Sequence, residues 1–126
     1  MKKILLVEDD LFLRDIYTEV LTDEKFIVEK AVDGEEALQK IKQGNWDMVL
    51  MDIVMPKVNG IEVLRQINGN SRKYARHIVM MTNSDVVDGL EEVKGMIDGC
   101  LLKTSFTPGE FVNKIKQYFK NEQAVS

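Results

Sequence analysis

Three stretches of this chain, Ile4-Leu5-Leu6-Val7, Met48-Val49-Leu50-Met51 and Ile78-Val79-Met80-Met81, are apolar at every position. A run of this kind has no polar face to turn to water, so each is expected to be a strand covered on both sides. Two weaker strands complete the set. Phe26 to Ala31 carries Glu29 and Lys30 among its apolar residues and suits a place near a sheet edge, and Gly99 to Leu102 precedes Lys103.

The segments between the runs change period. Leu13, Ile16, Tyr17, Val20 and Leu21 recur at helical spacing, with Asp10 as N-cap. Asp33-Gly34-Glu35-Glu36 reads as a cap with a Glu three residues on, opening a helix with Ala37, Leu38 and Ile41 inward and Gly44-Asn45 at its end. Ile61, Leu64 and Ile67 mark a third helix, running from near Val58 to about Gly69. Val86, Leu90, Val93 and Ile97 space a fourth, and Asn70 to Arg76 is expected to be a loop. Thr107-Pro108-Gly109-Glu110 is a helix start, with Phe111, Ile115 and Phe119 on the buried side of the fifth.

Five strands thus alternate with five helices, which implies a parallel sheet with helices on both faces. The length and count point to an α/β, flavodoxin-like doubly wound (βα)5 three-layer sandwich with strand order 2-1-3-4-5. One domain is expected over residues 1–121, with 122–126 a short tail or the start of a linker. Trp46 and the seven methionines read as core filling, His77 as a strand-start residue and Cys100 as a small hydrophobe.

Composition excludes several classes of protein. A net charge of −4 argues against nonspecific nucleic-acid affinity, and no helix-turn-helix region follows the fifth helix. The N-terminal apolar run is too short for a signal peptide, and nothing approaches a membrane span. A single cysteine cannot form an intrachain disulfide and fits a reducing compartment. A cytoplasmic protein with neither a membrane nor a direct nucleic-acid partner is expected.

In a doubly wound sheet the site lies beyond the carboxyl ends of the strands, where the order switches between strands 1 and 3. Here those ends carry Glu8 and Asp9, Asp52, Thr82 and Lys103. Three carboxylates in one crevice repel one another unless a cation sits among them, and oxygen ligands without His or Cys suit Mg2+. A hydroxyl and an ammonium opposite supply what an incoming phosphoryl group needs. The chemistry these residues support is phosphoryl transfer to a carboxylate.

In combination, Val-Glu-Asp at residues 7–9, Met-Asp-Ile-Val-Met-Pro with Asn59-Gly60, Met-Thr-Asn-Ser and Leu-Leu-Lys resemble the receiver domains of two-component response regulators over nearly the whole chain. The resemblance implies that Asp52 is the phosphoacceptor. Asp9, Asp52 and the Val54 backbone carbonyl would ligate Mg2+, with Glu8 acting through water, and Thr82 and Lys103 would hold the phosphoryl oxygens. Val54 and Ser84 stand where the family tunes phosphate lifetime. The implied donor is a sensor histidine kinase, a phosphotransfer protein or a small acyl phosphate. The implied output is a partner protein on the face of helix 4, strand 5 and helix 5. Such a domain is a signalling module rather than an enzyme. A phosphatase usually carries a second acid two residues after its nucleophile, and Val54 is there instead.

Two departures weigh the other way. Cys100 replaces the usual switch aromatic, and Thr104 follows Lys103 where proline is customary. They favour the alternative of a pseudo-receiver, a constitutive interaction module that is never phosphorylated. A homodimer is a further expectation, with Lys114, Lys116 and Lys120 facing Asp85, Asp88, Glu91 and Glu92.

Overall fold

The computed structural model describes residues 1–67, 71–83 and 87–125, and of Ser71, Thr104 and residues 121–125 the backbone alone. The elements run β1 (Lys3–Val7), α1 (Leu11–Asp23), β2 (Ile27–Ala31), α2 (Gly34–Ile41), β3 (Trp46–Asp52), α3 (Gly60–Gln66), α4 (Ser71–Tyr74), β4 (Ala75–Thr82), α5 (Leu90–Val93), β5 (Gly99–Leu102) and α6 (Pro108–Val125). The sheet is parallel, with order β2-β1-β3-β4-β5. The last residues of α6 fall in the stretch expected as a tail or linker.

The apolar runs are buried as their composition requires. Leu5, Val7, Val49, Met51, Ile78 and Met80 face one core with α2, α3 and Val93, while Ile4, Leu6, Met48, Leu50, Val79 and Met81 face the other with α1 and α6. Alternation along each strand divides its side chains between two cores, which is why those runs are apolar at every position. Trp46 belongs to the first core, whereas Met1 is exposed.

Caps set the helix starts. The Asp10 and Asp33 carboxylates accept the amides of Leu13 and Glu36, at 3.0 and 2.8 Å. Asn59 does the same for Glu62, at 3.0 Å. Thr107 and Glu110 form a reciprocal box, with amide to Oε1 at 2.9 Å and amide to Oγ1 at 3.2 Å.

Four expectations need correction. The fourth helix is not the long element that its apolar spacing implied: among described residues α5 is a single turn, followed by a 3-10 turn at Lys94–Met96. Gly89 lies in the left-handed region at φ +84, so the chain is not helical there, and Ile97 is extended. Val86 lies outside the described residues. The segment expected as a loop holds α4, and β4 begins within it at Ala75. Among the described residues, helices therefore outnumber strands by the one-turn α4. Cys100, read as a small hydrophobe, is exposed. After Lys103 the chain makes a 3-10 turn to Ser105, with no cis peptide among the described residues.

The far end of β5 is fastened to β4. Asp98 accepts the Ile78 amide at 2.7 Å and both terminal nitrogens of the Arg72 guanidinium, at 2.9 and 3.2 Å. Its own amide donates to the Ile78 carbonyl at 2.7 Å. Lys116, one of the lysines considered for a dimer, instead pairs within the chain with Glu24 at 2.6 Å.

Candidate functional site

Parallel register brings the polar strand ends together. Val7 pairs with Met51, so Glu8 and Asp52 emerge side by side from β1 and β3. Asp52 pairs with Met81 and Thr82 with Leu102, which brings Thr82 and Lys103 to the same edge. Four strands thus deliver five of the expected site residues to one end of the sheet.

The Lys103 ammonium lies between two acids, 2.8 Å from Asp52 Oδ2 and 2.6 Å from Glu8 Oε1. All three side chains are withdrawn from solvent, at 4% exposure for Lys103, 7% for Asp52 and 0% for Glu8. One carboxylate oxygen each of Glu8, Asp9 and Asp52 lies within 4.8 Å of the others, and Asp9 is the exposed member. The Val54 amide donates to Asp52 Oδ1 at 3.3 Å. The cleft they form, about 200 Å3, is also lined by Asp10, Leu13 and Asn83.

Burial dominates the electrostatics. Loss of solvent pushes the Glu8 carboxyl up to about 7; the hydrogen bond from Lys103 opposes this, and the charge of Asp52 adds to it. For Lys103, burial alone would lower the pKa. Its bonds to Asp52 and Glu8 outweigh that and hold it above its usual value, so it stays a cation. When all are ionised, three carboxylates against one ammonium leave two negative charges uncompensated. An all-oxygen set with that surplus fits a hard divalent cation, and Mg2+ suits it best.

The structure gathers Glu8, Asp9, Asp52, Val54 and Lys103 around one cleft. Thr82 is buried at the end of β4, and its neighbour Asn83 lines the cleft instead. Cys100 stands apart on β5, paired with Met80. Ser84 lies outside the described residues. Asn83 was missed by sequence reasoning although it directly follows Thr82 at a strand end. Arg14, which donates from Nη1 to the Glu8 carbonyl at 2.9 Å, was also missed and left no readable signal in its spacing.

The family model for the response regulator receiver domain matches residues 4–116. Among curated proteins, the chain is 38% identical to a transcriptional regulatory protein CpxR homolog of Haemophilus influenzae, over all of this chain and 54% of that protein. It is 36% identical to the chemotaxis protein CheY of Halobacterium salinarum, over 81% of this chain and 84% of that one. Among solved structures, the response regulator TrrA of Thermotoga maritima, in complex with Mg2+-BeF, superposes with a TM-score of 0.78 at 33% identity, covering 93% of this chain and 98% of that one. The chain spans about half the length of the first curated relatives it matches. Several of these are named for transcriptional regulation or DNA binding, so the expected absence of a nucleic-acid partner gains no support from them. No helix among the described residues is long and apolar enough to cross a membrane.

Proposed function

The chain belongs to the response regulator receiver family, and from that premise we propose that it is a phosphorylation-controlled switch with Asp52 as acceptor. The observation that carries this is the Lys103 ammonium bridging Asp52 and Glu8 beside Asp9, at the strand ends where the sheet order switches.

In the transfer, an Asp52 carboxylate oxygen attacks phosphorus. The bond to the donor, the P–N bond of a phosphohistidine or the P–O bond of an acyl phosphate, breaks as the new P–O bond forms. Asp9, Asp52 and the Val54 carbonyl would hold Mg2+, with Glu8 acting through water, and the ion would neutralise charge on the phosphoryl oxygens. Lys103 keeps a positive charge at the acceptor and would follow a phosphoryl oxygen once it arrives. The Thr82 hydroxyl, on the neighbouring strand end, would donate to another. A sensor kinase, a phosphotransfer protein or a small acyl phosphate would supply the phosphoryl group, and a partner reading the α5, β5 and α6 face would receive the signal.

The test is Mg2+ with acetyl phosphate or beryllofluoride on wild type and Asp52→Asn. Label on wild type that is lost in the variant is expected. Trp46 opens β3, about 20 Å along the strand from Asp52, so amide chemical shifts or calorimetry report Mg2+ better than intrinsic fluorescence. No label and no Mg2+ response would favour the pseudo-receiver, for which the exposed Cys100 is the supporting observation.

The same assay tests phosphate lifetime. Val54 is 74% exposed at the cleft and its apolar side chain cannot orient an attacking water. Slow self-dephosphorylation is expected, and rapid loss of label from the isolated phosphoprotein in Mg2+ would count against it.

A further inference from the structure

The Glu8-Asp9 turn is held from two sides through Glu8's backbone. The Glu8 amide donates to the Ala31 carbonyl at 3.1 Å, tying it to the end of β2. The Glu8 carbonyl, which is also the carbonyl of the Glu8-Asp9 peptide, accepts from Arg14 Nη1 at 2.9 Å. Arg14 sits in the first turns of α1 and folds back toward β1 to make this bond. Its own amide continues the helix to the Asp10 carbonyl at 2.9 Å. One residue therefore joins the helix start to the strand end on either side of Asp9.

Asp9 needs such support more than its neighbours do. Glu8 and Asp52 are buried and paired with Lys103, whereas the Asp9 side chain is exposed and no hydrogen bond or ion pair to it is present among the described residues. Its direction is set by the peptide planes on either side of it. Fixing the carbonyl before Asp9 fixes one of those planes and so limits where the carboxylate points.

We propose that Arg14 is a positioning residue for the divalent-cation site, holding Asp9 within reach of Asp52 through the Glu8-Asp9 peptide. This rests on the Mg2+ reading of the cleft. The proposal has a distinctive sign. A guanidinium bonded to the Glu8 carbonyl, beside the acidic cleft, disfavours a second cation by simple repulsion, so removing a mere bystander charge would tighten Mg2+ binding. Removing a brace would weaken it.

The experiment is calorimetric Mg2+ titration of the full chain without phosphodonor, comparing wild type, Arg14→Met and Arg14→Lys, each shown to be folded by its amide spectrum. Arg14→Met is expected to raise the Kd about tenfold, the low end for outer partners of metal ligands. Arg14→Lys, which keeps the charge and a donor, is expected to recover most of that loss. Arg14→Met binding as tightly as wild type or tighter, or Arg14→Lys no better than Arg14→Met, overturns the proposal. If Arg14→Met does not fold, Arg14→Gln takes its place with the same two outcomes. A wild-type chain that binds no Mg2+ overturns the metal reading itself and this proposal with it. Wild-type binding left unweakened by loss of Arg14 overturns only the role of Arg14.

Discussion

Replacing Lys103 with methionine is expected to destabilise the Mg2+-free protein by about 3–5 kcal/mol at pH 8, the usual cost of removing one partner from a buried ion cluster. Methionine fills much of the same volume, so the loss is one of charge rather than packing. It strands Glu8 and Asp52 as neighbouring buried acids with no ammonium between them. The penalty depends on pH with a definite sign. In wild type the Glu8 carboxyl is raised from 4.5 to about 7, so the folded chain holds that proton more firmly than the unfolded one. The stability this contributes is complete below about 4.5 and is lost as pH rises through 7. Without Lys103 the opposing hydrogen bond disappears and Glu8 rises further, so the deficit grows with pH and shrinks toward pH 5. Added Mg2+ supplies the missing positive charge, and it is expected to restore more stability at pH 8 than at pH 5. Urea unfolding of both proteins at the two pH values, with and without Mg2+, checks all three statements. A variant as stable as wild type at pH 8 without metal would show that the ammonium does not compensate these acids.

Gly34→Ala is expected to cost about 3 kcal/mol or more and to loosen the acceptor loop together with α2. An added Cβ would lie 1.6 Å from the Val58 carbonyl oxygen and 2.5 Å from its carbon, so a backbone segment rather than a pliable side chain must move. Helix propensity alone would favour alanine by up to about 1 kcal/mol, and the clash outweighs it. The strain is delivered to a loop that serves the site. The Val58 amide donates to the Pro56 carbonyl at 2.8 Å inside the loop that follows Asp52, and Lys57, at φ +67, reaches back with its ammonium 3.5 Å from Asp33 Oδ2. Mg2+ affinity is therefore expected to fall along with stability. Gly95→Ala is the control, since nothing lies within 4 Å of a Cβ there. Equal unfolding midpoints for the two variants would sink the prediction.

The strands and most of the candidate site residues were legible because they follow from strong local signals, and the strand order came from the doubly wound class that five such strands and their helices imply. A run such as Leu5-Leu6-Val7 admits few alternatives, and a polar residue at its end is conspicuous. Where the signal was mixed, the elements were misjudged. Asp47 hid the start of β3; in the fold its carboxylate accepts the Lys3 amide at 2.7 Å, where β1 begins beside it. Arg76 and His77 hid the start of β4 in the same way, although Ala75 is buried. In α5 the apolar spacing was present, but Gly89 adopts a left-handed conformation that periodicity does not register. Arg14 was invisible because its partner is a backbone carbonyl, which every residue offers and no sequence pattern advertises.

The clamp of Asp98 on Ile78 and Arg72 anchors β5 at the end away from the cleft, and its pairing with β4 from Gly99 to Leu102 carries that anchorage up to Lys103. From Asp98 to Lys103 the strand spans about 16 Å, which sets the Asp98 clamp well apart from the acidic cleft. The amides of Ile78 and Asp98, both held in that clamp, are the natural reference marks for comparing amide spectra with and without Mg2+ and phosphodonor.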